Sequence, residues 1–147
     1  MRKIILALVA LGLGAAAPAD AASLLEKNFW LSGTNYDGVL PGCDDPAVSG
    51  EIASRFAYKE SEYWHSDLTL DHFDRYRQIA MRPWGESFIP RRFCAARVLT
   101  SDGRYHAVSF AIAEGLGVIG IGWGVEWCVS GLDRNLAYAP ACKMARP

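Results

Sequence analysis

Seven arginines, Arg75, Arg77, Arg82, Arg91, Arg92, Arg97 and Arg104, crowd about one fifth of the chain, and among acidic residues only Glu86 and Asp102 stand between the first and the last. A guanidinium fork binds phosphate or carboxylate through two parallel hydrogen bonds, so this density points to an anionic partner: a lipid headgroup, a phosphorylated glycan or an acidic protein patch. The reading favoured over it is an exposed strand face whose arginines pair with Glu60, Glu62, Glu114 or Glu126. Other chemistry has less support. His65-Ser66-Asp67 and Asp71-His72-Phe73-Asp74 set imidazoles beside carboxylates, but neither spacing matches a metal-ligand set, and both read as solvated loop residues. No Gly-x-Ser-x-Gly elbow occurs, and the cysteines are expected to be oxidised, which leaves no nucleophile. No catalytic residue, metal or cofactor is therefore expected.

The start of the chain bears on where such a site would work. Met1-Arg2-Lys3 is a positive segment, Ile4 to Gly14 is apolar, and small residues follow as far as Ala22. This is the layout of a secretory signal, with cleavage fitting after Ala19 or after Ala21. The apolar run is shorter than the roughly 20 residues a membrane span requires. The run from Ile112 to Val125 is interrupted by Glu114 and several glycines, so no stable span is expected after cleavage. All four cysteines, Cys43, Cys94, Cys128 and Cys142, follow the signal, and an even count in an exported chain favours two disulfides. Export to a bacterial periplasm is the expected address. The net charge of -1, with no nucleic-acid-binding motif, gives no case for DNA or RNA.

The elements that must position the arginines follow in order. Residues 1–21 are assigned to the signal, 22–43 to a covering arm with Phe29-Trp30 as an apolar anchor, and 44–147 to one domain. Asp44 or Asp45 caps a helix, and Pro46 suits its first turn because the missing N–H costs nothing there. Val48, Ile52, Phe56 and Tyr63 or Trp64 form its apolar stripe, with Ala53 and Ala57 beside it, and the helix ends near Trp64-His65. Asp67 to Asp71 and Phe73 to Met81 are both extended but out of phase, which calls for a bulge near Asp71-His72. Asp102-Gly103 and Gly115-Leu116 close two further hairpins. The sum is an α+β domain, one main helix on a four-stranded antiparallel meander, cystatin-like or nuclear-transport-factor-like in outline and stabilised by disulfides.

Two-residue loops would set Phe93 beside Ile112 and Ile119, Ala95 beside Phe110 and Ile121, Arg97 beside Val108 and Trp123, and Leu99 beside His106 and Val125. The helix would then cross Phe110, Ile121 and Trp123, and Glu60, one turn beyond Phe56, would meet Arg97. That register brings Arg97 and Glu60 together between helix and sheet with His106, Trp123 and Trp127 nearby, as a structural ion pair fixing the helix or, alternatively, as a polar pocket holding an anionic ligand. The opposite face, with Ala96, Ala107, Ala111, Gly120, Gly122 and Gly124, is small and must be covered by the tail, the arm or a second protein. The helix start and the start of the second strand lie at one end of the sheet, which favours Cys43–Cys94 with Cys128–Cys142. Cys43–Cys128 with Cys94–Cys142 survives if the tail runs down the small face.

Arg91-Arg92-Phe93-Cys94, Trp123-Gly124-Val125-Glu126-Trp127-Cys128 and the ending from Leu132-Asp133-Arg134-Asn135 to Pro147 are similar to a group of small secreted alphaproteobacterial proteins of unknown function. The resemblance implies the periplasmic address and supplies no site residues. The expected function is a non-enzymatic binding or interaction module of the cell envelope, engaging an envelope protein or a small anionic ligand. The alternative is a small enzyme or ligand-binding protein with its pocket between helix and sheet.

Overall fold

The computed structural model describes residues 38–82, 89–117 and 121–147. Signal residues 1–21 and the arm through residue 37, including Phe29-Trp30, lie outside the described residues, as do 118–120 with Ile119 and Gly120. Among the described residues one α-helix, α1 (Pro46–Trp64), precedes four strands, β1 (Leu70–Arg82), β2 (Arg91–Thr100), β3 (Tyr105–Glu114) and β4 (Trp123–Val129). The strands form a single antiparallel sheet in chain order, so the α+β meander is the observed fold.

The helix forms for the local reasons its sequence contains. The Asp45 carboxylate accepts from the Ala47 N–H at 2.8 Å, and Pro46 follows it in the first turn. At the other end His65 turns left-handed (φ 48°), and the N–H groups of His65 and Ser66 both donate to the Glu60 carbonyl. Val48, Ile52, Phe56 and Glu60 recur every fourth residue and are the buried positions, so the stripe ends on a carboxylate where Tyr63 or Trp64 was expected; Tyr63 is exposed. The stripe packs with Cys94, Ala96, Val98, Val108, Phe110, Ile112, Val125 and Val129 into one core, and Trp123 and Trp127 close its side.

The register differs from the expected one, and the turns explain how. The β2–β3 loop holds three residues: the Thr100 N–H donates to the Arg104 carbonyl at 2.9 Å, and Gly103 takes the positive φ (80°). Asp102 fixes this turn by accepting from the Thr100 hydroxyl and the Arg104 N–H. A three-residue loop with glycine in the left-handed position is the next commonest hairpin after the two-residue one. It moves β2 by one residue, so Cys94 faces Phe110, Ala96 faces Val108 and Val98 faces His106. Phe93, Ala95, Arg97 and Leu99 accordingly turn to the outer face, away from the helix, as a one-residue slip requires.

The β3–β4 loop is also longer than two residues. It is closed by the Gly115 N–H on the Gly122 carbonyl at 2.6 Å, so Trp123 pairs with Glu114, Val125 with Ile112 and Trp127 with Phe110. This slip is even, so the β4 faces stay as expected, while Ile121 leaves the core and is exposed. The loop folds back onto its own strand at Gly124, where a Cβ would meet the Leu116 carbonyl oxygen at 2.3 Å.

Both disulfides follow the favoured pairing, Cys43–Cys94 and Cys128–Cys142. The second binds the tail to the outer face, where Cys142 and Ala145 are buried beside Cys128 with Tyr138 against them. The expected cover for the small face is thus supplied by the tail, over its β3–β4 half.

β1 carries the expected irregularity near Asp71 and two more, between Asp74 and Arg77 and between Gln78 and Ala80. In the middle one Arg75 and Tyr76 oppose Ala96 alone, with Arg75 in the left-handed region (φ 53°). A side chain there costs about 1–2 kcal/mol relative to the extended or right-handed conformation, and glycine escapes most of that cost. Arg75→Gly should therefore raise stability by about 1 kcal/mol, measured by urea denaturation; a loss would mean that the Arg75 side chain contributes more to the fold than its bulge costs.

Candidate functional site

The displaced register takes the expected pocket apart. Glu60 and Arg97 lie on opposite sides of the sheet layer and do not meet. Glu60, 1 % exposed, pairs with Arg134 of the segment after β4 at 2.9 Å. Arg134 also lies over the Trp64 ring, and neighbouring Lys59 reaches Asn135 at 3.0 Å and the Trp127 ring. Trp127 packs its ring against Phe56 at 5.9 Å. Trp123 is at the far end of β4, opposite Glu114. His106 is committed through Nδ1–H to the Ser130 carbonyl at 2.9 Å. Glu60 and Trp127 are thereby parts of the contact that fastens the end of the helix to the segment following β4.

Arg97 belongs to a different place. On the outer face it is next to Asp74 across the β1–β2 pair, and it holds that carboxylate with both arms of its fork, Nε at 2.8 Å from Oδ1 and Nη2 on Oδ2. Its guanidinium lies over the exposed Tyr105 ring, 4.2 Å from the centroid. The hydrogen bond from Arg97 holds the Asp74 carboxyl below the ordinary aspartate range, against the opposing effect of partial burial. A depressed folded-state pKa contributes stability that is present above the unfolded-state value near 4 and is lost as pH falls through the lower, folded one. Asp74→Asn should flatten that part of the acid limb. Both partners are about a third exposed, so solvent screens the pair, and Arg97→Met should shift the melting temperature only slightly. Unfolding of the Arg97→Met protein at room temperature would return Arg97 to the interior.

Arg97 and Tyr105 form one side of an open groove of about 670 Å³ lined also by Arg75, Tyr76, Arg77, Ala95, His106 and Ala107. The alternation of each strand builds it: Arg77 stands beside Ala95, and Arg97 beside Ala107, so small side chains make the floor and long cationic ones the rim. The bulge supplies the rest, since the extra residue places Arg75 on the same rim as Arg77. Both are exposed, and neither makes a hydrogen bond or ion pair within the described residues. Of the sequence-predicted site residues, Arg97 stands on the groove face, and His106 borders the groove from the helix-facing side, opposite Val98. Arg75 and Arg77 stood out only as members of the arginine cluster. Asp74, Tyr105, Ala95 and Ala107 carried no signal beyond their alternation with those arginines.

Among the described residues no cluster of His, Cys, Asp and Glu has the arrangement of a metal site, and no helix is long and apolar enough to cross a membrane. Fold and groove together define a disulfide-bonded α+β protein with a cationic depression on the outer face of its sheet. Compared with protein-family models, with curated proteins and with solved structures, the chain matches none of them.

Proposed function

We propose that this is an exported, periplasmic binding module of the cell envelope, and that it holds an anionic partner on the outer face of its sheet without transforming it. One observation carries the reading. The helix–sheet interface is filled by Val48, Ile52, Phe56, Val98, Val108, Phe110 and Ile112, all essentially inaccessible, whereas the groove between β1, β2 and β3 is open and lined by arginines. A filled interface speaks against the alternative, a polar pocket beneath the helix. The address is supported by a signal-like start of the sequence and by cysteines that are all paired, as oxidising compartments favour.

Filling the groove tests the reading. Ala95→Trp puts an indole on the groove floor at an outward-facing position, and its melting temperature reports whether the fold is kept. The purified protein and this variant are each incubated with envelope extract, and retained compounds and proteins are identified by mass spectrometry. The expected result is an anionic component retained by the wild type, recovered unaltered, and absent from a folded Ala95→Trp protein. Equal retention by both, or recovery of a converted product, would overturn the proposal.

A further inference from the structure

The rim charges define what the groove takes. Arg97 is already neutralised, with both arms of its fork on Asp74 and its flat face on Tyr105, so it acts as a wall and not as a free cation. The unbalanced charge is that of Arg75 and Arg77, two guanidinium groups lining one groove that make no ion pair among the described residues, the neighbouring Asp74 carboxylate being held by Arg97. Below them, Ala95 and Ala107 present an uncharged floor, and the ring of Tyr105 borders it. Two free positive charges match a dianion better than a carboxylate, and the floor beside the Tyr105 ring suits a flat apolar body. The volume lies within the range of small-molecule sites. A phosphate monoester carries close to two negative charges at neutral pH and three acceptor oxygens, enough for two forks.

We infer that the groove binds a small phosphate monoester with a flat, apolar body, its phosphate between Arg75 and Arg77 and its body over Ala95 and Ala107 beside Tyr105. This rests on the binding-module reading and names its ligand class. Arg75 adds a second argument. It holds a backbone conformation that glycine would adopt at less cost, and such local strain recurs where a side chain is required for function.

Calorimetric titration with phenyl phosphate, on the full purified protein, tests the inference. Phenyl phosphate should bind at least about tenfold more tightly than methyl phenyl phosphate, its monoanionic ester, and than inorganic phosphate, because each of these lacks one half of the recognition. It should be recovered intact. Arg75→Gly and Arg77→Gln should each weaken it by about tenfold or more, with Arg75→Gly doing so in a protein that melts no lower than wild type. Equal affinity for the dianion and the monoanion, no binding by a folded wild type, or indifference to both substitutions would overturn it. Should phenyl phosphate fail while Ala95→Trp still abolishes capture from the envelope extract, the binding module stands and the phosphate monoester falls. Failure of both removes the groove as a site.

Discussion

Removing the Cys43–Cys94 bridge by a double alanine substitution should lower stability by about 4 kcal/mol, and removing Cys128–Cys142 by about 3 kcal/mol. The difference follows from the loops they close, with 51 and 14 residues of sequence separation, because a longer loop removes more entropy from the unfolded chain. The first bridge also has a local task. It ties the segment before α1 to β2, where Leu40 and Cys43 enter the core and the Gly38 N–H donates to Glu114 at 2.9 Å. For a domain of this size, losses of that order correspond to a fall in melting temperature of roughly 15 °C or more. Alkylation under denaturing, non-reducing conditions should label no cysteine, as both bridges require. A melting temperature unchanged by reduction would mean that the core alone sets stability.

The second large effect belongs to the helix stripe. Phe56 is 1 % exposed, in the centre of the core and against the Trp127 ring, so Phe56→Ala should cost about 3–5 kcal/mol through lost burial and the cavity left behind. Tyr63 offers the contrast. It was a candidate for the same stripe, but it is 65 % exposed and its ring meets only the neighbouring Tyr58 edge-on among the described aromatic pairs, so Tyr63→Ala should stay within about 0.5 kcal/mol. Urea denaturation of the two variants measures both. Similar losses would mean that the helix is rotated about its axis from the orientation described.

The same pair of residues shows what was legible in the sequence. Helix, strands, caps and cysteine pairing all rest on local signals, such as Asp45-Pro46, the recurrence of Val48, Ile52 and Phe56, and Asp102-Gly103 between two apolar runs. Register rests on something finer. Asp-Gly serves a two-residue loop and also the last two positions of a three-residue one, and the hydrogen bonds of Asp102 with Thr100 and Arg104 select the latter. One residue of difference carried Arg97 from the inner face to the outer face and dissolved a pocket that was otherwise self-consistent. Arg134 could not be assigned to Glu60 because that contact depends on how the chain returns after β4, over a separation with no periodic pattern. The groove was hidden for a related reason: Arg75 reaches its rim through a bulge that alternation alone does not position.

The placement of the site on the outer face is the claim most exposed to a single measurement, an amide chemical-shift titration of the isotope-labelled protein with phenyl phosphate. The account predicts that the perturbed amides cluster at Arg75, Arg77, Ala95, Arg97, Tyr105 and Ala107, which share the outer groove. Perturbations centred instead on Glu60, Trp123 and Trp127, with the groove amides unmoved, would contradict it and return the site to the space between helix and sheet.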